Sequence, residues 1–171
     1  EKFGTHEVLL DKDWGNGRPC VVHYFEQLKL ILINMHYPHT RMKNGKFSTD
    51  LMVDLQNEIK NLLNGRKVQR VILAGFFKDI GGAYMMKKTN LRMFGKQLKT
   101  HEKQNRLKTC CYDNNFLFRG DAIFDSEEIK RVEAITEPLG SVHYPVVAFY
   151  TDKKAEKLEN NQKYTAEVGR F

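Results

Sequence analysis

Two stretches early in the chain, residues 20–25 (Cys-Val-Val-His-Tyr-Phe) and 29–35 (Lys-Leu-Ile-Leu-Ile-Asn-Met), are rich in β-branched and aromatic residues and are separated only by Glu26-Gln27-Leu28. That is the pattern of two strands joined by a short hairpin. The second stretch is almost wholly apolar and is therefore expected at the centre of a sheet. Over residues 48–64 the period changes. Leu51, Met52, Leu55, Ile59, Leu62 and Leu63 recur at spacings of three and four, Ser48 or Thr49 can cap the start, and Gly65 can end the run, which predicts an amphipathic helix. Arg70 to Ala74 (Arg-Val-Ile-Leu-Ala) is a short apolar strand that stops at Gly75. Residues 29–74 then form a β–loop–α–β unit of the α/β class.

Past Gly75 the periodicity loosens. Gly81-Gly82, Lys87-Lys88 and Gly95 mark a long excursion rather than a regular element, and excursions of that length tend to be functional or surface-forming. Ala122-Ile123-Phe124 and Tyr144 to Tyr150 are short enough for strands. Residues 127–135 fit helical and extended readings equally, through Ile129, Val132 and Ile135. From Thr151 the chain turns polar and charged. The expected organisation is one partial domain over residues 1–150 and a charged tail over 151–171.

Composition adds limits. The 171 residues are 41% hydrophobic and 11% aromatic, with only four prolines, enough apolar side chain to offset the entropy of ordering, so a folded domain is expected. No apolar run reaches the roughly 18–20 residues that span a bilayer, and Glu1-Lys2-Phe3-Gly4 lacks a signal-peptide pattern. An intracellular setting, cytoplasm or nucleus, with no membrane contact, is the expectation. Three cysteines, two of them adjacent as Cys110-Cys111, make no disulfide framework, and no zinc-ligand spacing occurs, so a reducing compartment is expected. The net charge of +7 favours polyanionic partners. Basic residues are densest between 78 and 108, where a solvated loop accounts for them as well as a nucleic-acid surface does.

Candidate chemistry gathers at strand ends, where sites in α/β sheets are built. Four segments qualify: Asn34-Met35-His36-Tyr37-Pro38-His39, Gly75-Phe76-Phe77-Lys78-Asp79, Arg119-Gly120-Asp121-Ala122-Ile123-Phe124-Asp125-Ser126, and Ser141-Val142-His143-Tyr144-Pro145-Val146. Taken in order, and with Thr109-Cys110-Cys111 before the third, they resemble the C-terminal two-thirds of the endonuclease/exonuclease/phosphatase superfamily. That group includes deoxyribonuclease I, abasic-site endonucleases and inositol-polyphosphate phosphatases. The resemblance runs from about Gly17 to Tyr150. It implies an α/β/β/α sandwich of the deoxyribonuclease I-like type, here apparently lacking the N-terminal strands, and a magnesium-dependent hydrolysis of phosphate esters by an activated water.

By the same resemblance, His36 matches a histidine that contacts the scissile phosphate or acts as general acid. Asp121 matches the carboxylate that orients the last histidine, and His143 matches that histidine. Three other positions depart from the family. Phe76 stands for an aspartate, Lys78 for an asparagine, and Val142 for a second aspartate. Magnesium needs oxygen ligands, and phosphoryl chemistry needs its water activated and its charge neutralised. Phenylalanine and valine supply neither, while Lys78 would repel a dication yet attract a phosphate.

The leading expectation is therefore a catalytically inactive domain of this type, binding no metal and no cofactor, and serving as a structural or binding subunit. A virion or another large assembly is a setting it fits. A protein partner, or the family's N-terminal half, would cover the exposed sheet. Lys78, Lys87, Lys88 and Arg92 are the candidate contacts to phosphate or nucleic acid. The alternative is an active magnesium-dependent nuclease or phosphatase with a rearranged site, using His36, Asp121 and His143.

Overall fold

The computed structural model describes residues 6–13, 18–37, 49–77, 91–101, 107–109, 120–136 and 143–150. The described elements are β1 (His6–Asp13), β2 (Pro19–Phe25), β3 (Leu30–His36), α1 (Thr49–Leu63), β4 (Arg70–Phe76), β5 (Arg92–Met93), β6 (Lys96–Gln97), β7 (Asp121–Asp125), β8 (Arg131–Ala134) and β9 (Val146–Phe149). The expected tail over 151–171 lies outside the described residues.

A mixed sheet organises the fold, in the order β1-β2-β3-β4-β7. The β2–β3 hairpin pairs Cys20 with Met35 and Phe25 with Leu30. Lys29, expected in the second strand, instead closes the turn with φ 46°. Its amide donates to the Glu26 carbonyl at 3.2 Å, and its own carbonyl accepts from the Gln69 amide at 2.7 Å. The nearly all-apolar β3 occupies the middle of the sheet, as its composition predicted. It pairs in parallel with β4, Leu30 opposite Arg70 through His36 opposite Phe76, so the β–loop–α–β unit forms as read from the sequence. β7 runs antiparallel on the far side of β4.

Period-two alternation splits the sheet into two faces. One face carries Cys20, Val22, Tyr24, Ile31, Ile33, Met35, Val71, Leu73, Ala122 and Phe124, all buried. α1 covers it with Leu51, Met52, Leu55, Ile59 and Leu63. Leu62, counted on the apolar stripe from its spacing, is 42% exposed instead. It falls a turn's fraction away from the row at every fourth residue that meets the sheet. The helix ends at Asn64 and Gly65, both with positive φ, and the Arg66 amide closes on the Leu63 carbonyl at 3.0 Å, the left-handed termination that glycine favours. No helix among the described residues is long and apolar enough to cross a membrane.

Three sequence-based boundaries shift. β4 does not stop at Gly75 but continues through Phe76, because Gly75, at φ 137°, brings its backbone so close to the Met35 carbonyl that no Cβ fits. The pairing runs on past the strand: the Tyr37 amide donates to the Phe76 carbonyl at 2.8 Å and the Phe77 amide to the Gly120 carbonyl at 2.7 Å. The excursion after Gly75 holds a small hairpin, β5–β6, turned at Phe94 and Gly95. Within residues 127–135, Arg131–Ala134 takes the extended reading as β8, paired antiparallel to β9.

Candidate functional site

His36, Phe76 and Asp121 sit at neighbouring ends of β3, β4 and β7, on the face opposite α1. The alternation that sends Met35, Phe77 and Ala122 into the core sends these three the other way. The adjacent pair Phe76-Phe77 shows the rule: Phe77 is buried and meets Phe124 edge-on at 5.6 Å, whereas Phe76 faces the strand ends.

There the Phe76 ring stands between two imidazoles. Its centroid is 4.8 Å from that of His36 at 87° and 4.9 Å from that of His143 at 78°, both edge-to-face. Such contacts are each worth about 0.5–1.5 kcal/mol beyond burial. Gly120 makes room for the ring, since a Cβ there would overlap it.

His143 holds Asp121 through Nδ1, at 2.9 Å from Oδ2 and 3.1 Å from Oδ1. With the carboxylate ionised, Nδ1 carries the proton and donates it. Burial pushes the Asp121 carboxyl above the usual carboxylate range, and hydrogen bonds from His143 and Thr109 draw it part of the way back. Thr109, fully buried, ties the corner together. Its Oγ1 accepts from the Gly120 amide at 3.3 Å and the Asp121 amide at 3.1 Å, while its carbonyl accepts from the Tyr144 amide at 2.7 Å. Thr109 opens the Thr109-Cys110-Cys111 motif, which by itself gives no sign of this role.

On the other side of the cluster Arg18, just before β2, lays its Nη1 against the ring of His36, 3.2 Å from Nδ1 and closer to Nε2. Its amide donates to Asp13 Oδ1 at 2.9 Å. Arg18 carried no motif. The only signal for it was register: with Cys20 opposite Met35, the start of β2 must lie beside the end of β3.

Of the positions singled out from the sequence, the structure thus brings together His36, Phe76, Asp121 and His143. Lys78, Lys87, Lys88 and Val142 lie outside the described residues. Arg92 is elsewhere: it stands exposed on the β5–β6 hairpin, donates to the Gly95 carbonyl at 3.0 Å, and that hairpin packs on the helix side, where the Phe94 amide meets Gln56 Oε1.

The family resemblance implies magnesium, which takes oxygen ligands in a near-octahedral set. Among the described residues no three His, Cys, Asp or Glu side chains gather as ligands for one ion. In the cluster, the carboxylate of Asp121 is committed to His143, and its neighbours are an apolar ring, two imidazoles and a guanidinium. Among the described residues, these donors alone do not make up an oxygen ligand set for magnesium.

A second network lies at the other end of β7. Asp125, fully buried, receives Arg70 Nε at 3.1 Å and Nη2 at 2.7 Å, Tyr150 Oη at 2.6 Å and the Glu127 amide at 2.9 Å. The Arg70 guanidinium also stacks 4.4 Å from the Tyr150 ring centroid. The segment carrying β9 is therefore pinned to β7 at both ends, His143 on Asp121 and Tyr150 on Asp125.

No family model matches the chain, and no curated protein matches it. Among solved structures it is similar to truncated TDP2 from Caenorhabditis elegans, at 17% identity and a TM-score of 0.45, covering 85% of this chain and 66% of that one. A selenomethionine TDP2 structure from the same organism is similar at 17% identity and a TM-score of 0.44, covering 83% of this chain and 48% of that one. The chain thus spans 66% and 48% of those two chains. Likeness at this level is a distant one of fold and says nothing of chemistry. Among the described residues, fold and site define a mixed α/β domain with a central sheet, one covering helix and a His–Phe–His cluster at its strand ends.

Proposed function

We propose that this is an endonuclease/exonuclease/phosphatase-like domain, of the α/β/β/α sandwich type, that does not hydrolyse phosphate esters and serves as a binding or structural subunit. The observation that carries the reading is Phe76, seated edge-on between His36 and His143. An apolar ring there offers no ligand to a cation and no base to a water, and it occupies the space between the two imidazoles that a reacting group would need. A protein partner suits the sheet face opposite α1, where Val21, Leu32 and Ile72 are partly exposed and Asn34 is exposed.

One observation favours the second reading, an active phosphodiesterase: the hydrogen bond from His143 to Asp121 fixes a tautomer of the kind general acid–base catalysis uses. The two readings separate in one assay. Purified chain, shown to be folded by circular dichroism, is incubated with plasmid DNA and a generic phosphodiester in magnesium, in manganese and in EDTA, beside His143→Ala. No cleavage is expected in any arm. Cleavage that requires both metal and His143 would replace the first reading by the second.

A further inference from the structure

Away from the strand-end cluster, a second pair of imidazoles meets on the same face of the sheet. Val22 and Tyr24 of β2 are buried in the core, so alternation turns His23 and Phe25 to the face opposite α1. β1 runs beside them, with His6 opposite Phe25 and Val8 opposite His23. His6 and His23 are therefore diagonal neighbours across two strands. Their ring centroids lie 5.3 Å apart, with the planes at 51°. Phe25 backs the pair, stacked 5.4 Å from His6 and 6.5 Å from His23. His23 stands opposite Leu32, four residues before His36 on β3, so roughly 13 Å of strand separates this pair from the strand-end cluster.

Two observations point to an ion. Nδ1 of His23 is buried and has no hydrogen-bond partner among the described residues, a costly state for a polar nitrogen. The spacing of the rings is the second. With zinc–nitrogen bonds of about 2.0–2.1 Å and each ring centroid about 1.2 Å behind its nitrogen, two imidazoles at a tetrahedral angle stand about 5.2 Å apart. An aromatic contact alone also reaches this spacing, but it leaves the buried nitrogen without a partner, whereas an ion supplies one. Imidazole nitrogen suits zinc and its transition-metal neighbours rather than magnesium or calcium. Among the described residues no third His, Cys, Asp or Glu joins the pair as a ligand.

We infer that His6 and His23 form a two-imidazole zinc site, its remaining positions taken by water, that clamps the edge strand β1 to β2. β1 lies at the edge of the sheet, and its register with β2 shifts between Val8 and Leu10. A bulge of that kind disrupts the ladder locally, and the ion holds the strand end that lies beyond it. The site is independent of whether the domain hydrolyses phosphate esters.

The test is a zinc chloride titration of the isotopically labelled full chain, beside one with magnesium chloride, read in long-range proton–nitrogen spectra of the imidazoles. His6→Phe and His23→Phe keep an aromatic ring at each position and remove its nitrogens, and the signals lost in each variant assign the two rings. Zinc is expected to shift the ring signals of His6 and His23 together, and magnesium to leave both in place. Each Phe variant should weaken zinc binding at the remaining ring by about tenfold or more, since losing even an outer partner of a ligand costs that much. Circular dichroism verifies folding. His6 is exposed, so His6→Phe decides the matter by itself should the half-buried His23→Phe fail to fold. Unmoved signals of either histidine, equal shifts with magnesium, or an unchanged titration of His23 in His6→Phe would overturn the site. Zinc that shifts His36 and His143 but not this pair would overturn it too, and would put the ion at the strand ends instead.

Discussion

Gly120 lies directly against the ring of Phe76, so close that the first carbon of any side chain at 120 would stand 2.1 Å from a ring carbon and collide with it. The glycine immediately precedes β7, and the ring fills the gap between the two histidines; each holds the other in place. Gly120→Ala is expected to destabilise the fold by about 1–3 kcal/mol, the range for overpacking. Phe76→Ala should absorb most of that cost, so the double variant should be more stable in urea unfolding than the sum of the single effects implies. Strict additivity would show that the ring does not occupy this seat.

Thr109 offers a second test of the same corner. Its hydroxyl oxygen accepts from the Gly120 and Asp121 amides in a fully buried setting. Thr109→Val keeps the shape but leaves both amides short of a partner, at about 1–3 kcal/mol for a buried unsatisfied group. Thr109→Ser keeps the oxygen and should recover most of the difference. Equal loss in the two variants would assign the effect to the lost methyl group instead.

At the far end of β7, Asp125 is the buried acceptor for Arg70 and Tyr150. Removing it leaves the partly buried guanidinium only its exposed partner Glu127, at 3.1 Å, and takes the acceptor from Tyr150, so Asp125→Ala should cost about 3–5 kcal/mol. Tyr150→Phe removes one hydrogen bond and should cost about 1 kcal/mol. Guanidinium unfolding that ranked Tyr150→Phe above Asp125→Ala would reverse the assigned hierarchy.

The same network sets a pH dependence. Burial first, then the adjoining carboxylate of Asp125, push the Tyr150 hydroxyl above its ordinary value of 10.0. The folded state therefore keeps this proton at a pH where the unfolded chain has released it. Its contribution to stability is complete below about pH 10 and is lost as the pH rises above it. Unfolding free energies measured from pH 8 to pH 11.5 should fall more steeply in the wild type than in Tyr150→Phe. Parallel slopes would remove Tyr150 as the cause.

How much of this was legible beforehand follows from range along the chain. The β2–β3 hairpin, the helix over 49–63 and the parallel β4 were legible in the sequence, because each leaves a local signature: alternation, a repeat near 3.6, or a short apolar run closed by glycine. The faces followed too. Once Ile31, Ile33 and Met35 point into the core, Leu32, Asn34 and His36 must point away. The end of β4 was misjudged because glycine reads locally as a stop, whereas Gly75 serves here to let two strands approach.

Which side chains meet at the strand ends was decided only by tertiary structure. Arg18 reaches His36 across 18 positions, Asp121 reaches His143 across 22, Tyr150 reaches Asp125 across 25, and Arg70 reaches Asp125 across 55. Family motifs drew attention to His36, Asp121 and His143, but neither periodicity nor composition encodes a partner at such distances. The sequence by itself determined the principal elements, β2, β3, α1 and β4, and the face each of their residues takes, since those depend on neighbours one to four positions away. The seating of Phe76 between two imidazoles, the hub at Thr109 and the guanidinium of Arg18 against His36 arise from strand register and layer packing, which the assembled sheet alone defines.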